Sequence, residues 1–219
     1  MNQLSDRLNS LSPSATLAMS QKSAELKAQG VDVINLSVGE PDFNTPDHIK
    51  EAAKKAIDDN FSRYSPVPGY PALRNAIVEK LKKENGLDYT VAQISCANGA
   101  KQSVCNAILV LVNPGDEVIV PAPYWVSYPE MVKLAEGKPV IVTAGIEQDF
   151  KITPAQLEAA ITPKTKAIIP VSLYGQVADM DKIQDIATKH NIKIIIDGAQ
   201  SFGCTYNDKT DSNLGDIST

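Results

Sequence analysis

Histidine, cysteine and clustered positive charge are scarce in this 219-residue chain. His48 and His190 are its two histidines and lie far apart, so a histidine-based metal centre is not expected. Cys96, Cys105 and Cys204 form an odd, sparse set without a CxxC pair. That pattern argues against a disulfide scaffold and for a reducing, cytoplasmic compartment. The net charge is −5 and no basic block occurs, which disfavours nucleic acid and anionic membranes as partners. An acidic balance is still compatible with a local phosphate site built from backbone amides. No apolar run approaches the roughly 18 residues of a membrane span. The opening Met1-Asn2-Gln3-Leu4-Ser5-Asp6-Arg7 lacks an apolar signal segment. Neither GxGxxG nor GxxxxGK[ST] is present, so two common nucleotide fingerprints are missing. No Gly/Ser linker, internal repeat or low-complexity stretch divides the chain.

Apolar residues make up 43% of the sequence, enough for a core. Residues 1–13 read as a polar arm. Helical spacing follows over 14–29, closed by Gly30. Val33–Ser37 reads as a short strand running into the breaker-rich Val38-Gly39-Glu40-Pro41-Asp42-Phe43. Thr45-Pro46-Asp47 has the form of a helix start, with a hydroxyl cap and proline at the first position. The helix it opens carries Ile49, Ala52, Ala53 and Ile57 on one face, and a second begins near Pro71 and runs towards Glu84. Beyond it short strands (93–97, 117–120, 139–143, 166–171, 192–196) alternate with helices (101–112, 127–136, 154–161, 179–190). Such alternation predicts βαβ units and a mostly parallel α/β sheet covered by helices on both faces.

Asp197 ends the apolar run Ile192–Ile196 and so falls at a strand's carboxyl edge, where open α/β sheets bind ligands. A buried acid there calls for a cationic partner; the pyridinium nitrogen of pyridoxal phosphate (PLP) is one. Asn98-Gly99-Ala100-Lys101-Gln102-Ser103 joins a strand to a helix and offers free N–H groups to a phosphate, although a glycine turn on its own is common. Trp125, the only tryptophan, follows strand 117–120 and could stack on a planar ring; taken alone it would be an ordinary core or interface residue. Tyr64 and Tyr70 flank a proline-rich segment and could reach a phosphate or serve only the loop. Gln200 follows Asp197 by three residues and could bond a ring hydroxyl, or be a surface amide. A phosphorylated, aromatic, cationic cofactor accounts for the cradle, the stacker and the acid together.

With these motifs in view, residues 1 to about 166 resemble the class I aspartate aminotransferases of PLP fold type I. The matching stretches are Asn35–Phe43, Tyr64–Tyr70, Asn98–Gln102, Gly115–Val118 and Pro123–Pro129. The resemblance implies that the amides of Gly99, Ala100 and Lys101 hold the cofactor phosphate and that Trp125 stacks on the ring. It implies that Tyr70 reaches the phosphate of the neighbouring subunit in a homodimer, and that Gly39 lies beside the substrate carboxylate. Amino acid and 2-oxo acid would be the substrates, with aspartate favoured. Residues 1–45 would be an arm with part of a small domain, and 46–219 a PLP-binding large domain incomplete at its C-terminus.

Residues 168–219 instead resemble the DegT-like sugar aminotransferases, also of fold type I. They carry Leu173-Tyr174-Gly175-Gln176, Asp197–Gly203 and Leu214–Thr219, where a class I enzyme would show Asn-Pro-x-Gly after strand 166–171. In that group the acid at Asp197 serves the ring nitrogen and the amide at Gln200 the ring hydroxyl. The chain thus reads as a chimera of two subfamilies. Both need a lysine bonded to the cofactor, expected beyond Thr219, so the chain also reads as truncated and, alone, as binding PLP weakly if at all without turnover. A nucleotide-sugar aminotransferase, a PLP-dependent sugar dehydratase and a catalytically inactive fragment are the alternative readings.

Overall fold

The computed structural model describes residues 4–37, 39, 42–210 and 213–219. The N-terminal stretch is helical: α1 (Asp6–Asn9), α2 (Ala15–Ala28), α3 (Asp47–Asp58) and α4 (Pro71–Asn85). Ser14 accepts from the Leu17 N–H and starts α2, which ends with Gly30 at φ 82°. Gly86 at φ 66° closes α4 in the left-handed conformation that glycine takes most readily. Two expectations fail here. Residues 33–37 form no strand, and α3 is entered through Pro46 with no side-chain cap, so Thr45 does not serve as one.

From residue 100 onward the alternation holds. The order is α5 (Ala100–Leu111), β1 (Glu117–Ala122), α6 (Ser127–Leu134), β2 (Lys138–Thr143), α7 (Pro154–Ala160), β3 (Thr165–Ile168), α8 (Met180–His190) and β4 (Lys193–Ile196). A two-stranded hairpin, β5 (Thr205–Tyr206) with β6 (Lys209–Thr210), and a short β7 (Ile217–Ser218) follow. The main sheet has the order β2-β1-β3-β4-β7, and its pairs are parallel. The expected strand at 93–97 is replaced by a 3₁₀ turn over Val91–Gln93 and an extended, unpaired stretch. There the Cys96 N–H goes to the Pro68 carbonyl and the Arg74 guanidinium to the Ile94 carbonyl rather than to a neighbouring strand. The strand expected over 166–171 stops at Ile168, leaving a single bridge between Val171 and Asp197.

Side chains alternate along each strand, so one sheet builds two cores. Val118, Val120, Ala167 and Ile195 pack with α5 and α6 through Val104, Ile108, Met131 and Val132. Ile119, Ile168, Ile194 and Ile196 pack with α7 and α8 through Leu157, Met180 and Ile186. Helices therefore cover both faces, and the strands are apolar on both sides, as a buried parallel sheet requires.

Candidate functional site at the carboxyl edge of the sheet

Three connections from strand ends meet at one edge of the sheet. After β1 the chain passes a cis Ala122–Pro123 bond into Tyr124 and Trp125 and then enters α6. After β4 it delivers Asp197, whose N–H goes to the Pro170 carbonyl and whose carbonyl accepts from Ser172 N–H, tying it to the end of β3. On the other side Gly198 N–H bonds the Thr219 carbonyl at the end of β7.

Asp197 is buried at 5% exposure. Its Oδ2 accepts a 2.6 Å hydrogen bond from the Tyr128 hydroxyl, and its Oδ1 a 3.1 Å bond from Ala199 N–H. Both donors are neutral, and no ammonium or guanidinium pairs with this carboxylate among the described residues. Burial, and then the hydrogen bond and negative charge of Asp197, push the Tyr128 phenol far above its ordinary range, so it remains a donor at neutral pH. Tyr128 was not singled out from the sequence. The available signal was its position in the first turn of the helix that follows Trp125, which keeps the two rings close. Their centroids lie 5.4 Å apart at 82°, edge to face.

Gly99 caps α5 at φ 79° and ψ 165°, a conformation essentially restricted to glycine. The Gln102 and Ser103 N–H groups turn back to the Gly99 carbonyl, and Asn98 N–H is taken by Gln102 Oε1. This leaves the Ala100 and Lys101 N–H groups at the positive end of a twelve-residue helix. The Lys101 side chain crosses to the indole, with Nζ 4.6 Å from the centroid of Trp125. A run of contacts thus links Lys101, Trp125, Tyr128 and Asp197. The turn opens onto a groove of about 880 Å³ between residues 11–15, α5, α6 and β2.

The other expected residues stand apart. The exposed Gln200 amide accepts from the Tyr174 N–H at 3.2 Å, and Tyr174 itself holds a left-handed φ of 56°. The Tyr70 ring packs edge-on to Phe61 at 5.5 Å. Gly39 is exposed with open space around it, and Tyr64 is fully exposed. No helix among the described residues is long and apolar enough to cross a membrane, and no cluster of His, Cys, Asp and Glu there could hold a metal ion.

The pattern of the family described as aminotransferase class I and II matches residues 31–208. The chain belongs to that family. Its match continues through residues 168–208, the stretch expected from the sequence to depart from the aspartate aminotransferase motifs. The chain is 58% identical to the aspartate/prephenate aminotransferase of Cereibacter sphaeroides over 166 residues, which is 76% of this chain and 42% of that protein. It is 48% identical to the aspartate aminotransferase of Bacillus sp. strain YM-2 over 200 residues, 89% of this chain and 51% of that one. Among solved structures, the aspartate aminotransferase from Thermus thermophilus with maleate superposes with a TM-score of 0.84 at 42% identity, covering 90% of this chain and 53% of the other. The chain therefore spans about half the length of the relatives it matches, and its fold is that of the aspartate aminotransferases.

Proposed function

We propose that this chain forms the cofactor-holding part of a PLP-dependent aminotransferase that moves an amino group between an amino acid, aspartate by preference, and a 2-oxo acid. The observation that carries this reading is Asp197: a buried carboxylate at the ligand-binding edge of a parallel sheet, hydrogen-bonded among the described residues by neutral donors. A buried charge in that state gains from a cationic partner, and a protonated pyridine nitrogen is of the right charge and shape. The site thus fits the group that family membership implies. When bound, PLP supplies an electron sink for breaking bonds at the substrate's α-carbon.

The residues divide the remaining work. The free N–H groups of Ala100 and Lys101, reached through the turn at Gly99, would hold the phosphate at the α5 N-terminus. Trp125 would back the ring, and Asp197 would keep a proton on the ring nitrogen. Gln200, whose Oε1 is taken by the Tyr174 N–H, would present its NH₂ to the ring oxygen. Tyr70 would reach the phosphate of a second subunit in a homodimer, and Gly39 would lie beside the substrate carboxylate. The lysine that anchors the cofactor belongs, in this reading, beyond Thr219. The reading includes an arm and partial small domain at 1–45, a cofactor domain at 46–219 and a cytoplasmic setting. Gln200 with Leu173-Tyr174-Gly175-Gln176 supports a junction near 166–168 with a DegT-like second part, and through it a nucleotide-sugar ketone as the alternative amino acceptor.

Calorimetric titration with PLP tests the reading. Weak but saturable binding, competed by inorganic phosphate and lost in Asp197→Ala, is expected. Binding unaffected by Asp197→Ala would remove it.

A further inference from the structure

Tyr128 touches both the aromatic wall and the acid. It is 3% exposed, donates its hydroxyl to Asp197 Oδ2 at 2.6 Å, and sets its ring at 82° to Trp125. It enters from α6, while Asp197 enters from the end of β4, so it joins two connections far apart in the chain. A carboxylate at a strand end can rotate about χ1 and χ2. Here one oxygen is held by Ala199 N–H in a local turn and the other by Tyr128. Both rotations are thereby fixed, and each oxygen keeps lone-pair capacity for one more donor.

We infer that Tyr128 is a positioning residue: its hydroxyl holds the Asp197 carboxylate in one orientation, aimed for a cationic ring nitrogen backed by Trp125. This rests on the reading of the site as a PLP site. It goes further in naming the residue on which the preference for a cationic ring depends. Among the described residues no hydrogen bond joins Tyr128 to Ala100 or Lys101, so its effect is expected at the ring nitrogen rather than at the phosphate.

The test compares PLP with an analogue carrying carbon in place of the ring nitrogen, and with inorganic phosphate, by NMR-detected titration of the whole chain. The unaltered protein should prefer PLP over the carbon analogue by about tenfold or more, the scale of a charged hydrogen bond. Tyr128→Phe keeps the ring against Trp125 and should shrink that preference severalfold while leaving inorganic phosphate affinity unchanged. In an Asp197→Asn background Tyr128→Phe should have no further effect on the preference, since coupled residues are not additive. A preference that survives Tyr128→Phe, or a fall of equal size in the Asp197→Asn background, overturns the inference while leaving the reading intact. Failure of the unaltered protein to bind PLP overturns the reading and the inference with it. If Tyr128→Phe does not fold, the Tyr128 phenolic proton of the unaltered protein carries the test. Its resonance should shift on adding PLP and hold still on adding the carbon analogue; equal shifts overturn the inference.

Discussion

The stretch before Leu87 and the stretch after it use the same alphabet and bury it differently. Among the described residues before Leu87 only Ser23 is buried, and Leu17, Ile34, Leu36, Phe43, Ile57 and Val67 are all more than 70% exposed. After it, every strand of the main sheet except the outer β2 and β7 is buried along most of its length. Helix α3 has an apolar stripe as regular as that of α8, yet α3 buries nothing, whereas α8 buries Met180, Ile186 and Ala187. Periodicity says which face of a helix prefers to leave water. It does not say what will cover that face.

The largest expected effect tests the buried half. Ile195→Ala opens a cavity at a fully buried site between α5, α6 and the sheet, and should cost about 2–5 kcal/mol by urea unfolding. Ile57→Ala, the same loss of methylenes at 74% exposure, should stay within about 0.5 kcal/mol. A loss above 1 kcal/mol at Ile57 would mean that its face is covered in solution, and the contrast between the halves would collapse.

Next in size is Asp197→Ala, which leaves the buried Tyr128 hydroxyl without its acceptor and should cost about 1–3 kcal/mol. Relief of an unpaired buried charge works the other way, so stabilisation by this substitution would show that the neutral donors around Asp197 do not compensate for its burial.

The opposite end of β1 gives a pH-dependent effect. The Thr162 hydroxyl, at 2.6 Å, and then Lys138 hold the Glu117 carboxyl below its ordinary range. A carboxylate lowered in the folded state contributes stability above its unfolded value, near 4.3, and loses that contribution as pH falls through the folded value. The gap in urea midpoint between the unaltered protein and Thr162→Val should be full at neutral pH and close in acid; a gap independent of pH would reject this account.

Smallest is Lys54→Ala on α3, whose pairing with Glu51 at 2.7 Å is wholly exposed. It should change stability by less than about 0.5 kcal/mol, and by less still at high salt.

What the sequence disclosed follows the same division. The strands at 117–122, 138–143 and 193–196 were legible because each has a sheet neighbour within the chain and a β-branched run, which in the two inner strands fits burial on both faces. Residues 33–37 and 94–97 carry comparable apolar runs, but a strand exists only through hydrogen bonds to a neighbour, a non-local condition that a run of residues does not encode. At the site, the glycine turn at Gly99 and the acid at Asp197 could be read from their places between elements. The Tyr128–Asp197 bond could not, since its partners lie 69 residues apart and meet only when α6 packs on the sheet. Gln200 was legible as a residue type but not in its environment: its amide oxygen is committed to Tyr174.

Trp125 is the only indole in 219 residues, and it lies between the Lys101 ammonium and the Tyr128 ring. Light absorbed at the red edge of the protein spectrum is therefore emitted from this one place. A molecule that binds against the indole and absorbs where it emits would take up that light, so occupancy could be followed as a loss of emission without any label. The chain carries its own optical gauge, at the point where its chemistry is expected.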